Sequence, residues 1–390
     1  MMTKKDRYSR VAQVEMVGLE GLATLHRSTA AVLGVGNLGG WVAQHLVMLG
    51  TGVILLDKDT VREENLGTQG FTEDHLGLPK VEARARYLAR INPSCRIDVL
   101  HADIEQLGLG ALQGANIILC CLDSRRIRTV VNEIATRLRI PWVDAAVDGS
   151  GKALFGRVAA YDPRLPHSPC YLCPHDRESL REIMYEGRGE RCPVWRWEEQ
   201  ETAPAPTLAI SALGAAVAAV QVIWGLKMLL GHGEEVVGRE VYLDLDRNAL
   251  TTHTLRRNPG CVFDHEIFPL TPFGCGVEAV TVADTFAASE EKLGAGVLLQ
   301  LHRRSLVTEI HCPQCAAVQK PYRLLEAMTA EEATCACRAI MQPVATGLRD
   351  RLPREEAAAF LHKTWGEIGL PPHDVVTAAN ERGEVHWLFV

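Results

Sequence analysis

The chain lacks an excess of positive charge. Across 390 residues, 41 Lys and Arg stand against 48 Asp and Glu, for a net charge of −7. That balance leaves no electrostatic footprint for nucleic acid. It also lacks an apolar leader. Met1-Met2-Thr3-Lys4-Lys5-Asp6-Arg7 runs into polar sequence, so a cytoplasmic protein is expected. No internal repeat occurs, which argues against a solenoid. A single run, 208–230, is long enough to raise a membrane span. It is rich in Ala and Gly and carries Ser211, Gln221 and Lys227. A buried helix packed closely on a sheet is the expectation, with no membrane partner.

Twelve cysteines are present. In a reducing compartment they do not form a disulfide framework. Their spacing points elsewhere: Cys170 and Cys173 form CxxC, Cys312 and Cys315 form another, Cys335 and Cys337 form CxC, and Cys261 lies close to His265. Such pairs are the usual source of tetrahedral zinc ligands. Cys120 and Cys121 sit inside the apolar run 116–122 and read as inert strand residues.

Strand-like and helix-like segments alternate from Thr29 to Tyr161. The strands read 30–34, 53–56, 96–101, 117–122, 142–145 and 156–161, with helical patterns at 81–91 and 127–138 between them. This alternation predicts an α/β domain with a mainly parallel sheet and helices on both faces. Residues 162–206 read as one long irregular loop, and such loops are usually functional. Two more strands follow, 239–244 and 249–255. Composition shifts near Pro269–Pro272, so domains of 1–268 and 269–390 are drawn. The second reads as α+β, with a helix over 354–368 and a short β-rich tail.

The first strand ends in Gly34-Val35-Gly36-Asn37-Leu38-Gly39, and a helical segment leaves it. Glycine permits the positive φ of such a turn and lets backbone N–H groups approach a phosphate. The helix N-terminus adds partial positive charge. The second strand ends in Asp57-Lys58-Asp59, placed to hold a ribose hydroxyl. Nucleotide binding is the expectation. No hydride-transfer base is recognisable, which disfavours a dehydrogenase.

The stretch Asp57-Lys58-Asp59-Thr60-Val61-Arg62-Glu63-Glu64-Asn65-Leu66-Gly67-Thr68-Gln69 resembles the DxDxVxxxNLxRQ motif of the ThiF/MoeB/HesA family, relatives of ubiquitin-activating enzymes. Tyr8-Ser9-Arg10, Gly77-Leu78-Pro79-Lys80-Val81, Ile91-Asn92-Pro93, Asp123-Ser124-Arg125-Arg126-Ile127-Arg128 with Asn132, and Arg257-Asn258-Pro259-Gly260-Cys261 resemble further family segments in order. The resemblance covers residues 6–266 and implies a Rossmann-like adenylation domain. It implies ATP-dependent activation of the C-terminal carboxylate of a ubiquitin-like, β-grasp protein. Gly34, Gly36 and Gly39 would hold phosphate, Asp59 with Asp57 the ribose, and Asn65 and Lys80 the phosphates. Asp123 would hold Mg²⁺, and Arg10 would reach the γ-phosphate across a homodimer interface. One departure is plain: Thr68 stands where the motif has arginine. Arg62, Arg125 and Arg128 are candidate substitutes.

The resemblance also implies a zinc knuckle. Its first half is Cys170 and Cys173, and its second starts at Cys261. Asp264 takes the usual fourth position, so His265 is expected to be the fourth ligand, zinc favouring Cys and His over carboxylate. Cys312, Cys315, Cys335 and Cys337 read as a zinc ribbon that organises a small domain. Cys192, between Arg191 and Pro193, is the candidate nucleophile for a thioester, with Arg188 and Arg191 favouring its thiolate. Cys275 is the weaker rival. Transfer to a conjugating enzyme is the expected sequel. Sulfur transfer for cofactor biosynthesis and a non-catalytic adaptor are the alternatives.

Overall fold

The structure, a computed structural model, describes residues 7–148, 150–185, 195 and 209–390. The chain forms two compact units. In the first, α1 (Gly18–Arg27) precedes β1 (Thr29–Leu33), α2 (Asn37–Met48), β2 (Gly52–Asp57), α3 (Glu63–Leu66), α4 (Lys80–Ile91) and β3 (Ile97–His101). Then come β4 (Ile117–Cys120), α5 (Arg125–Arg137), β5 (Trp142–Val147), β6 (Phe155–Tyr161), α6 (Arg177–Tyr185), α7 (Ser211–Leu229), β7 (Arg239–Asp244) and β8 (Ala249–Thr254). One sheet runs β3-β2-β1-β4-β5-β6-β7-β8. Its first five strands are parallel and the last three pair antiparallel.

β1, β4 and β5 are buried nearly throughout, which explains their continuous apolar runs. Chain order reverses between β1 and β4. Such a switch point opens a crevice outside the carboxyl ends of the strands.

α7 is long and apolar enough to cross a membrane by length and composition. Here it is a core helix. Leu213, Val217, Ala218, Val222 and Leu226 join the sheet's core cluster. Gln221, fully buried, donates from Nε2 to the carbonyls of Cys120 at 2.9 Å and Val143 at 2.8 Å. That side chain fastens the helix to the carboxyl end of β4 and the first half of β5. The segment 162–206 is not irregular throughout, because α6 lies within it.

The second unit comprises Phe268–Val390 together with Gln106–Ala111 and Trp195. The sequence division after 268 therefore misses two earlier pieces. Their attachment has a physical cause. Arg304, buried, donates to the carbonyls of Gln106 and Leu107 at 3.4 and 2.9 Å and to Asp374 at 2.5 Å. Asp374 in turn accepts the Leu109 N–H at 2.9 Å. Trp195 is fully buried and donates to the Met341 carbonyl at 2.9 Å.

A five-stranded sheet and two three-stranded sheets build this unit, with the helix Val282–Leu293 against the largest. The tail forms the expected hairpin, Val375–Asn380 with Gly383–Leu388. The helix expected over 354–368 is instead two short ones, Arg354–Ala357 and Trp365–Ile368. The carbonyls of Leu361 and Lys363 are taken by the N–H groups of Ala283 and Val282. Thr364 then caps a new helix through a reciprocal bond with Glu367.

Candidate functional site

The turn after β1 lies at the switch point. Gly34 has φ +84°, and a Cβ there would sit 3.0 Å from the Cys121 carbonyl oxygen. Gly36 caps α2. A Cβ on Gly39 would fall onto the Gly34 carbonyl oxygen. Gly39→Ala is therefore expected to abolish nucleotide binding, measured by calorimetry, or to prevent soluble folding.

Asp57 is the brace of this turn. Its carboxylate accepts the Val35 N–H at 2.9 Å and the Asp59 N–H at 3.0 Å. Burial pushes its carboxyl up, opposed by the nearby Lys80 charge and those two N–H groups. Both oxygens are engaged by backbone, so the exposed carboxylate at this strand end belongs to Asp59. Asp59 is 53% exposed and pairs at 2.9 Å with Lys80, whose side chain is 8% exposed. The Lys80 backbone N–H also bonds the Asp59 carbonyl at 2.9 Å. Asn65 is buried and accepts the Arg62 N–H at 2.9 Å, closing the short helix α3.

Asp123 follows β4 and is exposed. Its loop is pinned from below. Arg128 donates to the carbonyls of Leu122 at 2.6 Å and Asp123 at 3.4 Å, and to Asp144 at 2.8 Å. Asp144 is fully buried and also accepts from Arg157 at 2.6 Å. Removing one partner of such a network leaves uncompensated buried charge. Asp144→Ala is expected to cost about 3–5 kcal/mol, read as lost stability in urea. Arg128 is thus occupied as a buried brace and does not replace the motif's arginine. Arg125 is exposed and pairs with Glu182 at 3.7 Å. Arg62 is exposed on the same stretch as Thr68, and Arg10 is exposed on the turn ahead of α1.

The first cysteine set converges. Cys170, Cys173, Cys261 and His265 place their ligand atoms within 4.8 Å of one another. Cys170 Sγ lies 3.7 Å from Cys173 Sγ and 3.8 Å from Cys261 Sγ, and His265 Nε2 lies 3.6 Å from Cys173 Sγ. Tetrahedral zinc–thiolate bonds of about 2.3 Å require sulfurs at about 3.8 Å, so this set fits zinc. The left-handed backbone of His265, φ +61°, accompanies its inward reach. Asp264 points away and binds Arg137 at 2.5 and 2.8 Å. Asn132 of the family segment accepts the Tyr171 N–H at 2.9 Å and holds the knuckle to α5.

Cys312, Cys315, Cys335 and Cys337 form a second such set. Here the closest sulfur pairs are at 3.4 and 3.5 Å. Cys120 and Cys121 are not candidates for chemistry, because burial pushes the Cys120 thiol up to about 12 and the Cys121 thiol up as well. Cys192, Arg188 and Arg191 lie outside the described residues.

Sequence reasoning missed one element of the glycine turn. Arg84, on α4, is buried and donates to the carbonyls of Gln69 at 2.5 Å and Val35 at 3.4 Å. No local sequence signal marks it, because Gly40, whose missing side chain leaves room for the guanidinium, lies 44 residues away.

The SAMP-activating enzyme E1 of Haloferax volcanii is 27% identical over 265 residues, 66% of this chain and 88% of that protein. The molybdopterin-synthase adenylyltransferase of Escherichia coli is 28% identical over 258 residues, 65% of this chain and 94% of that protein. Crystallised E. coli MccB with ATP shares the fold at 20% identity and a TM-score of 0.52, covering 67% of this chain and 74% of MccB. Residues 8–263 match the ThiF family, to which this chain belongs.

Proposed function

We propose that the chain is an ATP-dependent adenylyltransferase acting on the C-terminal carboxylate of a ubiquitin-like or sulfur-carrier protein. One juxtaposition carries the reading. The glycine turn after β1, the Asp59–Lys80 pair after β2 and Asp123 after β4 all stand at the carboxyl edge of adjacent strands. The names of the two relatives above support the substrate class.

In this reading backbone N–H groups of the turn and the N-terminus of α2 hold phosphate, and Asp59 holds the ribose. Lys80 turns from Asp59 towards the phosphates, and Arg10 of a second copy approaches the same charge. The partner's carboxylate oxygen attacks the α-phosphorus. The bond from that phosphorus to the bridging oxygen breaks, and pyrophosphate leaves with its electron pair. Two anions must meet, so fixed cations lower the barrier more than any proton transfer. Asp123 would hold Mg²⁺, which would supply positive charge beside the leaving group. Asp123 fits that role: it is exposed at the strand ends and has no ion pair among the described residues.

Two continuations follow from the acyl-adenylate. In the first, the Cys192 thiolate displaces AMP and forms a thioester that passes to a conjugating enzyme. In the second, hydrosulfide attacks the acyl carbon, the bond from that carbon to the phosphate oxygen breaks with AMP leaving, and a thiocarboxylate stays on the partner. The relatives support adenylation of either class of partner, the step common to both continuations. Incubation with Mg-ATP and a β-grasp protein, followed by reducing and non-reducing gels, separates them. A thiol-sensitive adduct lost in Cys192→Ala and kept in Cys275→Ala supports the thioester. Adenylated partner without adduct supports sulfur transfer. Absence of both supports the adaptor alternative, for which Thr68 is the motivating residue.

A further inference from the structure

The family segment loses its arginine at Thr68, yet a guanidinium is present beside that segment. Arg84 reaches it from α4. Its Nη2 bonds the carbonyl of Gln69, the residue next to Thr68, and the carbonyl of Val35 inside the glycine turn. Its guanidinium stacks 4.4 Å from the Phe71 ring centroid.

One glycine makes room for this group, and a second lies in ordinary contact with it. A Cβ on Gly40, in the first turn of α2, would lie 2.5 Å from Nη2, and one on Gly70 would lie 3.9 Å from Nη1. Gly40 and Gly70 also line a cleft with Arg84, Gln69, Trp41 and Tyr87. Arg84 is 4% exposed and has no carboxylate partner within ion-pair distance among the described residues. Its Nε–H is buried without a hydrogen-bond partner there, as is Gln69 Oε1. A buried charge without a directly paired anion is expensive even with the Asp57 carboxylate nearby, and an orphaned buried donor costs about 1–3 kcal/mol. Burial pulls its pKa down to about 10, still fully cationic at neutral pH. A buried cation, an orphaned donor, and a glycine turn with a helix N-terminus all meet at one place. An anion is the group that satisfies them together.

We propose that Arg84 is the guanidinium that holds the triphosphate of ATP in this chain, in the role Thr68 leaves open. The assignment rests on the adenylation reading above. It makes Arg84 a second cation beside Lys80, delivered from the same helix one turn later. It also distinguishes ligands: ATP and inorganic triphosphate engage Arg84, and AMP does not.

The test is binding rather than turnover. The arginine Nε–H resonance of Arg84, assigned with R84K, is followed by NMR on the wild-type chain. Addition of ATP or inorganic triphosphate is expected to shift it, and AMP is expected to leave it in place. By calorimetry, R84Q is expected to weaken ATP at least tenfold while AMP changes less than twofold. The double variant T68R/R84Q is expected to recover most of the ATP affinity, because an arginine from the motif position returns the charge. Equal loss for ATP and AMP, no rescue by Thr68→Arg, or an Nε–H unmoved by triphosphate would overturn the assignment and leave Arg84 as a brace between two carbonyls. A wild-type chain that binds neither ATP nor triphosphate would sink the adenylation reading itself, a result distinct from losses confined to the variants.

Discussion

Replacing Lys80 with alanine is expected to lower ATP–pyrophosphate exchange by about 10²–10³-fold, the usual cost of removing one preorganised charge from a transition state. The fold is expected to hold, because the partner of Lys80 is solvated. Asp59 is 53% exposed, so it regains water when the ammonium is gone. Surface-facing pairs of this kind contribute roughly 0–1 kcal/mol. The lysine itself is different. At 8% side-chain exposure its ammonium is held against the Asp59 carboxylate just after β2, with its backbone fixed on the Asp59 carbonyl. Fixed position is what makes a cation effective when two anions must be brought together. Lys80→Arg is expected to recover little, since a wider planar group does not fit a point-charge position. Exchange rates with an unchanged melting curve are the measurement. Exchange within threefold of wild type would remove Lys80 from the phosphate site.

The second large effect concerns the ribbon cysteines. Cys335→Ser is expected to cost one bound metal per chain and to unfold the small core around it. That core contains Val307, Ile310, Cys312, Met328, Ala333, Cys335, Met341 and Trp195. The strands that carry it are two residues long. Strands so short do not stand on their own pairing, and apparent zinc-binding energies of about 10–16 kcal/mol in zinc-finger peptides show how much of such a fold a metal can supply. Trp195 reports the event. Its indole is fully buried and bonded to the Met341 carbonyl. Its emission is expected to shift to the red in Cys335→Ser, with no such shift when the same substitution is made in W195F. Loss of one metal with unchanged emission would mean that the core holds without it.

Legibility in the sequence followed the range of the interactions. β1, β2 and β4 were readable because burial on both faces leaves a continuous apolar run. The glycine turn and Asp59 were readable because the motif is local. Asp57 was placed beside Asp59 at the ribose, and its role as a brace on backbone N–H groups 22 and 2 residues away is one that spacing does not reveal. Both metal sets were legible because cysteine pairs carry their own geometry, and His265 over Asp264 followed from ligand preference. Arg128 offered itself as a phosphate cation only until Asp144, sixteen residues on, was seen to take it. The helix expected over 354–368 failed for a tertiary reason, since Val282 and Ala283 claim the carbonyls that would have continued it. Arg84 was invisible because its meaning depends on Gly40 and on the carbonyls of Val35 and Gln69, far from it in the chain and against it in space.

The most direct test of the account is ATP–pyrophosphate exchange by the wild-type chain with a β-grasp partner. Exchange of labelled pyrophosphate into ATP is predicted. It should require Mg²⁺ and the partner's free C-terminal carboxylate, and it should vanish when that carboxylate is amidated. ATP binding without exchange, across partners whose C-termini are intact, would contradict adenylation and leave a nucleotide-binding adaptor.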